Sequence, residues 1–103
     1  MSDEPEISPE DAPHIFRNAP GHMEDTPENR AQLLALISDA GAFAGEDRYG
    51  TRWYAGTLPD GRQLWAQRRG NRLRNGGVNA PPRDFTDPVF GLTKETEHGP
   101  DDA

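Results

Sequence analysis

One stretch constrains the fold more than any other: TRWYAGTLPDGRQLWAQRRGNRLRN, residues 51–75. Residues 51–57 are rich in aromatic and β-branched side chains, which suit a pleated, half-buried strand. Leu58-Pro59-Asp60-Gly61 follows, with proline and glycine placed as a tight hairpin loop wants them. Residues 62–68 read as the return strand, Gly70-Asn71 as a second turn, and residues 72–75 as a third strand. Gly76-Gly77 then suits a bulge or bend before Val78. Consecutive strands joined by such short turns can only pair antiparallel, so the second half of the chain is expected to form a meander. The parity of residues 51–57 sends Trp53, Ala55 and Thr57 to one side, with Trp53 in the core, and Arg52 and Tyr54 to the other. Trp65 is open between core and surface.

A meander needs a cover for one face, and the sequence offers one helix. Thr26 suits an N-cap, Pro27 the first helical position and Glu28 the first turn, where the helix dipole favours an anion. Leu33, Leu34, Leu36, Ile37 and Ala40 recur at helical spacing, and Gly41 suits a stop. The spacing predicts a helix over residues 27–40 with Leu33, Ile37 and Ala40 towards the core. Ile15 and Phe16 are expected to add a short strand. The fold class is therefore α+β: one main helix packed on a twisted three- to four-stranded antiparallel sheet, with disordered acidic tails. Apolar residues make up only 32% of the 103 positions and the mean hydropathy is −0.95, while glycine and proline together number 21. That supply suits one small domain, placed at residues 13–90. A disordered acidic leader over 1–12 and a disordered acidic tail over 91–103 flank it.

The net charge of −7 hides a segregation. Residues 48–83 carry eight arginines, Arg48, Arg52, Arg62, Arg68, Arg69, Arg72, Arg74 and Arg83, against the single acid Asp60. Residues 1–13 carry five acids and no basic residue, residues 84–103 carry six acids against Lys94 alone, and folding of these tails over the basic window is electrostatically reasonable. A local excess of arginine points to an anionic ligand such as nucleic acid. With no cysteine, disulfides and thiolate metal sites are excluded. No apolar run approaches the ~20 residues of a membrane span. The start, MSDEPEISPEDAP, lacks the basic and apolar regions of a signal peptide.

The candidate chemistry lies in HIFRNAPGH, residues 14–22. His14 and His22 are two imidazoles able to supply a base and an acid at neutral pH. RNA transphosphorylation needs both, plus a cation on the crowded phosphorane, for which Arg17 or the strand arginines are candidates. No metal and no cofactor is expected, because no ligand spacing or GxGxxG pattern is visible. His98, in the tail, is expected to have no role. The Asn75-Gly76-Gly77-Val78-Asn79 run suits a bulge or turn, and its amides offer a second way to approach a phosphate.

The ordered set HIFR…APGH, DTPENR opening a helix, YGTRWYAGTLPDGRQLWAQRR and the closing NGGVN resembles the C-terminal toxin domains of bacterial polymorphic and contact-dependent inhibition systems. These are grouped with the barnase/EndoU/colicin/RelE-like ribonucleases. The likeness covers residues 14–80. It implies a helical first part, a twisted antiparallel sheet with RNA across it, and metal-independent RNA cleavage, often of transfer RNA, that leaves a 2′,3′-cyclic phosphate. It further implies His14 and His22 as acid and base with Arg17 beside them. Arg30, Arg52, Tyr54, Arg68, Arg72, Arg74 and Asn79 would hold substrate, and a cognate immunity protein would cover the site. The expectation is thus a monomeric ribonuclease-like domain acting in the cytoplasm. The alternatives are a non-catalytic module that binds nucleic acid through an arginine-rich sheet face, and one whose arginines pair with an acidic protein partner.

Overall fold

In the computed structural model, which describes residues 5–93, the hairpin chemistry closes as its residues dictate. The Leu58 and Arg62 backbones pair at 2.8 Å, Gly61 takes a φ of +92° that only glycine adopts readily, and Asp60 Oδ1 accepts the Arg62 N–H. The result is a four-stranded antiparallel sheet in sequential order: β1 (Phe43–Glu46), β2 (Arg52–Thr57), β3 (Gln63–Arg69) and β4 (Arg72–Asn79). Gly70, with φ +60°, opens the two-residue β3–β4 turn. The strand β1 was not expected, while the strand expected at Ile15-Phe16 does not form. Ile15 instead closes a short helix, α1 (Ala12–Ile15), and is fully buried.

The main helix, α2 (Pro27–Leu36), opens as its residues predict: Thr26 Oγ1 accepts the Asn29 N–H at 3.0 Å. It stops at Leu36, short of residue 40. Ser38 Oγ returns to the Leu34 carbonyl, and Asp39 caps a separate 3-10 turn at Ala40–Ala42 by accepting the Gly41 N–H. Short polar side chains of this kind compete for helical backbone groups and end the helix. Leu33, Leu36 and Ile37 are therefore buried, but Ala40 is exposed rather than in the core.

The face of the sheet under α2 carries Phe43, Tyr54, Leu64, Ala66 and Leu73, and these form one cluster with Ile15, Leu33, Leu36 and Ile37. This reverses the expected parity of β2. Tyr54, opposite Ala66, is core at 4% exposure, and Trp53 lies on the other face. Burying the phenol costs little here because its hydroxyl accepts from Arg52 Nε at 3.3 Å. Gly56 and Gly76 let α2 sit close: a Cβ at Gly76 would lie 3.0 Å from a Leu33 methyl. Gly76 and Gly77 pair regularly with Ala66 and Trp65. The bulge lies one step earlier, where pairing passes from Gln67↔Asn75 to Arg68↔Leu73 and leaves Arg74 without an opposite residue.

Ordered contacts run wider than residues 13–90. Glu6 forms a parallel bridge with Arg72 at the β4 edge, and Thr93 an antiparallel bridge with Glu46 at the β1 edge. Each sheet edge is thereby paired at one position. Residues 5–12 of the leader are not a free tail: Glu10 and Asp11 reach Arg72, and Asp11 also reaches Arg74. The expected tail over 91–103, with His98, lies outside the described residues apart from 91–93. Among the described residues, no helix is long and apolar enough to cross a membrane.

Candidate functional site

The face of the sheet away from α2 is a trough. Its floor is the alternate residues of β3, Trp65, Gln67 and Arg69, a period-two row on one side of a strand. One wall is α1 and the loop after it; the other is the segment that carries Phe85 and Phe90. The loop is held by its backbone: the Gly21 carbonyl accepts from Val78 N–H at 3.0 Å and from Trp65 Nε1–H at 3.2 Å. Gly77 makes this approach possible, because a Cβ there would drive into the Gly21 carbonyl and lie 3.0 Å from His22 Cα.

Folding brings the two histidines of the early loop together. The His14 and His22 rings meet edge-to-face with centroids 6.5 Å apart, and His22 meets Trp65 in the same manner at 5.8 Å. Their partners fix different tautomers in the neutral rings. The His22 Nδ1 faces the Ile15 carbonyl at 2.9 Å and must donate to it, which leaves the Nε2 lone pair free. The His14 Nδ1 lies 3.0 Å from Arg17 Nη1 and must accept, which puts the ring proton on Nε2. Protonation of His14 at Nδ1 requires Arg17 to let go.

His14 opens onto a groove of about 420 Å³ whose lining includes Asp11, Gln67, Arg69, Arg74 and Asn75. The bulge turns Arg74 and Asn75 into the same groove. Arg69 lies 3.0 Å from Thr51 Oγ1, which orients it there. His22 borders other depressions, one of them shared with Arg17. Arg17 thus touches both imidazoles' surroundings.

The remaining residues expected to hold substrate divide. Arg74 lies in the groove, and Arg72 is beside it, held by Asp11 at 2.8 Å and Glu10 at 3.4 Å. Arg74 Nε is 3.5 Å from Asp11 Oδ1, an ion pair without hydrogen-bond geometry, and the Nε atoms of Arg72 and Arg74 are buried without an acceptor. Asn79 is on the trough side, where it donates to Gln63 Oε1. Arg52, Tyr54 and Arg68 are not in the trough. Arg52 stacks over Phe43 at 4.3 Å and pairs with Glu46; Arg68 donates to the Ile37 and Gly70 carbonyls, both at 2.6 Å. These three brace the α2 side. Arg30 is held by Asp25 at 2.6 and 2.8 Å and lies over Phe16; this hydrogen bonding keeps the Asp25 carboxyl below its usual range.

Sequence reasoning missed Gln67 and Thr51, and had Arg69 and Asn75 only as members of the arginine window and of the glycine-rich run, not as site residues. The signal was present in β3, where Gln63, Trp65, Gln67 and Arg69 alternate with apolar Leu64 and Ala66. Among the described residues, no group of three or more His, Cys, Asp or Glu is arranged to hold a metal ion. No protein-family model, curated protein or solved structure matches the chain.

Proposed function

We propose that this chain is a metal-independent ribonuclease-like domain that cleaves RNA by general acid–base transphosphorylation. The observation that carries the reading is the adjacency of His14 and His22, with Arg17 on His14 and His14 in turn on the groove of Arg69 and Arg74. Rings this close can both reach one phosphodiester, provided the substrate enters beside them.

The tautomers suggest the roles. His22, with a free Nε2 lone pair, takes the 2′-hydroxyl proton as that oxygen attacks phosphorus. The P–O5′ bond breaks, and O5′ takes a proton from the His14 imidazolium, giving a 2′,3′-cyclic phosphate and a 5′-hydroxyl. An arriving phosphate is a stronger acceptor for Arg17 than a neutral imidazole. Substrate therefore draws Arg17 from His14 Nδ1, frees that nitrogen to be protonated and puts the guanidinium on the phosphorane. The proposal extends to a toxin that acts on transfer RNA in the cytoplasm and is held in check by an immunity protein.

The test is incubation of the purified protein with total RNA in EDTA. Cleavage with a bell-shaped pH dependence, cyclic-phosphate ends and no action on a 2′-deoxy substrate is expected, and His14→Ala or His22→Ala should each abolish it while binding persists. RNA binding with no new ends, in the unmutated chain, would replace the enzyme with a non-catalytic binding module.

A further inference from the structure

Beside the histidines, the trough holds an apolar cleft that the acid–base chemistry does not use. It measures about 250 Å³ and is lined by Trp53, Trp65, Phe85 and Phe90, with Gln67 and Arg83 at its polar side. The indoles are fixed in advance: Trp53 Nε1–H donates to Asp47 Oδ2 at 3.1 Å and Trp65 Nε1–H to the Gly21 carbonyl. Phe85 and Phe90 meet Trp53 at 5.6 and 5.9 Å, which sets its orientation further. Packing alone accounts for an aromatic cluster, but not for Gln67. Its side chain is half-buried in the floor of the cleft, its amide is open to solvent rather than sealed, and it makes no hydrogen bond among the described residues, so both donor and acceptor are available to a ligand. Gln67 also borders the arginine groove that contains His14.

We infer that this cleft is the nucleobase subsite of the same RNA site, with Trp65 and Trp53 as stacking surfaces and the Gln67 amide as the reader of the base edge. The inference rests on the ribonuclease reading for the identity of the ligand as RNA. Three features fit one base. The volume falls below the ~300–1,000 Å³ of pockets that take drug-sized ligands, and so suits a single flat ring system. Preset aromatic faces bind bases at low ordering cost. Along β3, Trp65, Gln67 and Arg69 succeed one another at about 7 Å per two-residue step, so a base on Trp65 and Gln67 has its phosphate next to Arg69 and His14. An amide is both donor and acceptor, so it distinguishes bases by the pattern of their edges.

The experiment uses ligands that cannot be cleaved: the four nucleoside 3′-monophosphates, ribose 5-phosphate and inorganic phosphate, titrated into the full chain. The indole N–H resonances of Trp53 and Trp65 are followed by NMR. Monophosphates should move both indoles saturably with one base preferred, while ribose 5-phosphate and phosphate leave them in place. Gln67→Leu should level the base preference, and Trp65→Phe should weaken binding about ten-fold through the smaller stacking surface. Indoles that stay unmoved by all four monophosphates, or that respond equally to ribose 5-phosphate, overturn the subsite. Base-selective binding by a chain that leaves RNA uncut keeps the subsite and removes the nuclease; RNA cleavage indifferent to Gln67→Leu does the reverse.

Discussion

Gly77→Ala tests how the early loop reaches the sheet. The new methyl group would collide with the Gly21 carbonyl, coming within 2.8 Å of its carbon and 3.0 Å of His22 Cα. These are backbone atoms, so no flexible side chain can yield. Moving Gly21 removes the acceptor for Val78 N–H and Trp65 Nε1–H, two hydrogen bonds of about 1 kcal/mol each. Overpacking adds about 1–3 kcal/mol, so the total is about 3–5 kcal/mol, a large share of the ~5–15 kcal/mol that holds such domains together. The melting temperature should fall by at least ~12 °C, taking ~4–8 °C per kcal/mol for a domain of this size. Gly56→Ala is the control, because its Cβ would meet only the flexible Leu36 Cδ1 at 3.3 Å, and it should stay within ~1 kcal/mol of the parent. Urea titration followed by tryptophan fluorescence reads both variants. Equal stability of the two would refute the claim that the loop is seated through Gly77.

Other sites give smaller, independent effects. Asp11→Asn leaves the Arg72 and Arg74 guanidiniums without their shared carboxylate; it should cost about 1–2 kcal/mol in urea unfolding and tighten RNA binding at low salt. Asp47→Ala removes the acceptor for Tyr49 N–H, Thr51 N–H and Trp53 Nε1–H, and a loss of about 2 kcal/mol should accompany a changed Trp53 environment in near-ultraviolet circular dichroism. The Thr86 hydroxyl at 2.6 Å, aided by the Thr86 N–H, holds the Asp84 carboxyl below its usual range. An acid with a depressed folded value favours the fold at higher pH and gives that up as pH falls through it. Thr86→Val should therefore raise the Asp84 titration in a carboxyl NMR experiment, and an unmoved midpoint would reject the hydroxyl as the main cause.

Local chemistry was the most legible part of the sequence. The Thr26 cap and the Leu58–Gly61 turn formed as written, because each depends on residues only a few positions apart. Parity on β2 was not legible from β2 alone. Assigning Trp53 to the core put it inward, whereas the hairpin register sets Tyr54 opposite Ala66. Reading β3 first, with Leu64 and Ala66 on one side and Gln63, Trp65 and Gln67 on the other, would have given the right face. The Arg74 bulge and the short β1 strand had no local signature, since both arise from how the strands pair. The pair of histidines was visible as a motif. Its tautomers were not, because they depend on the Ile15 carbonyl and on Arg17 after folding.

The fate of the arginines sets a last quantity. Eight in residues 48–83 suggested an anionic ligand on an arginine-rich sheet face. Folding divides them: Arg52 and Arg68 brace the α2 side, Arg62 pairs with Asp60 at 2.7 Å, Arg72 is held by Asp11 and Glu10, and Arg48 lies over the Tyr49 ring. Arg69, Arg74 and Arg83 remain on the trough, and Arg17 in the loop beside it lies 3.0 Å from His14, which lines the same groove as Arg69 and Arg74. Single-stranded nucleic acid releases counterions with a slope of about −0.7 in log K against log salt for each phosphate neutralised, so four arginines give about −3, whereas eight would give about −6. The measurement is binding of an uncleavable 2′-deoxy oligonucleotide across a series of salt concentrations. A slope near the larger value would mean that the α2-side arginines also contact the strand, contrary to the division of faces; loss of about one phosphate's share in Arg69→Gln, with little change in Arg68→Gln relative to its cost in stability, would place the polyanion on the trough.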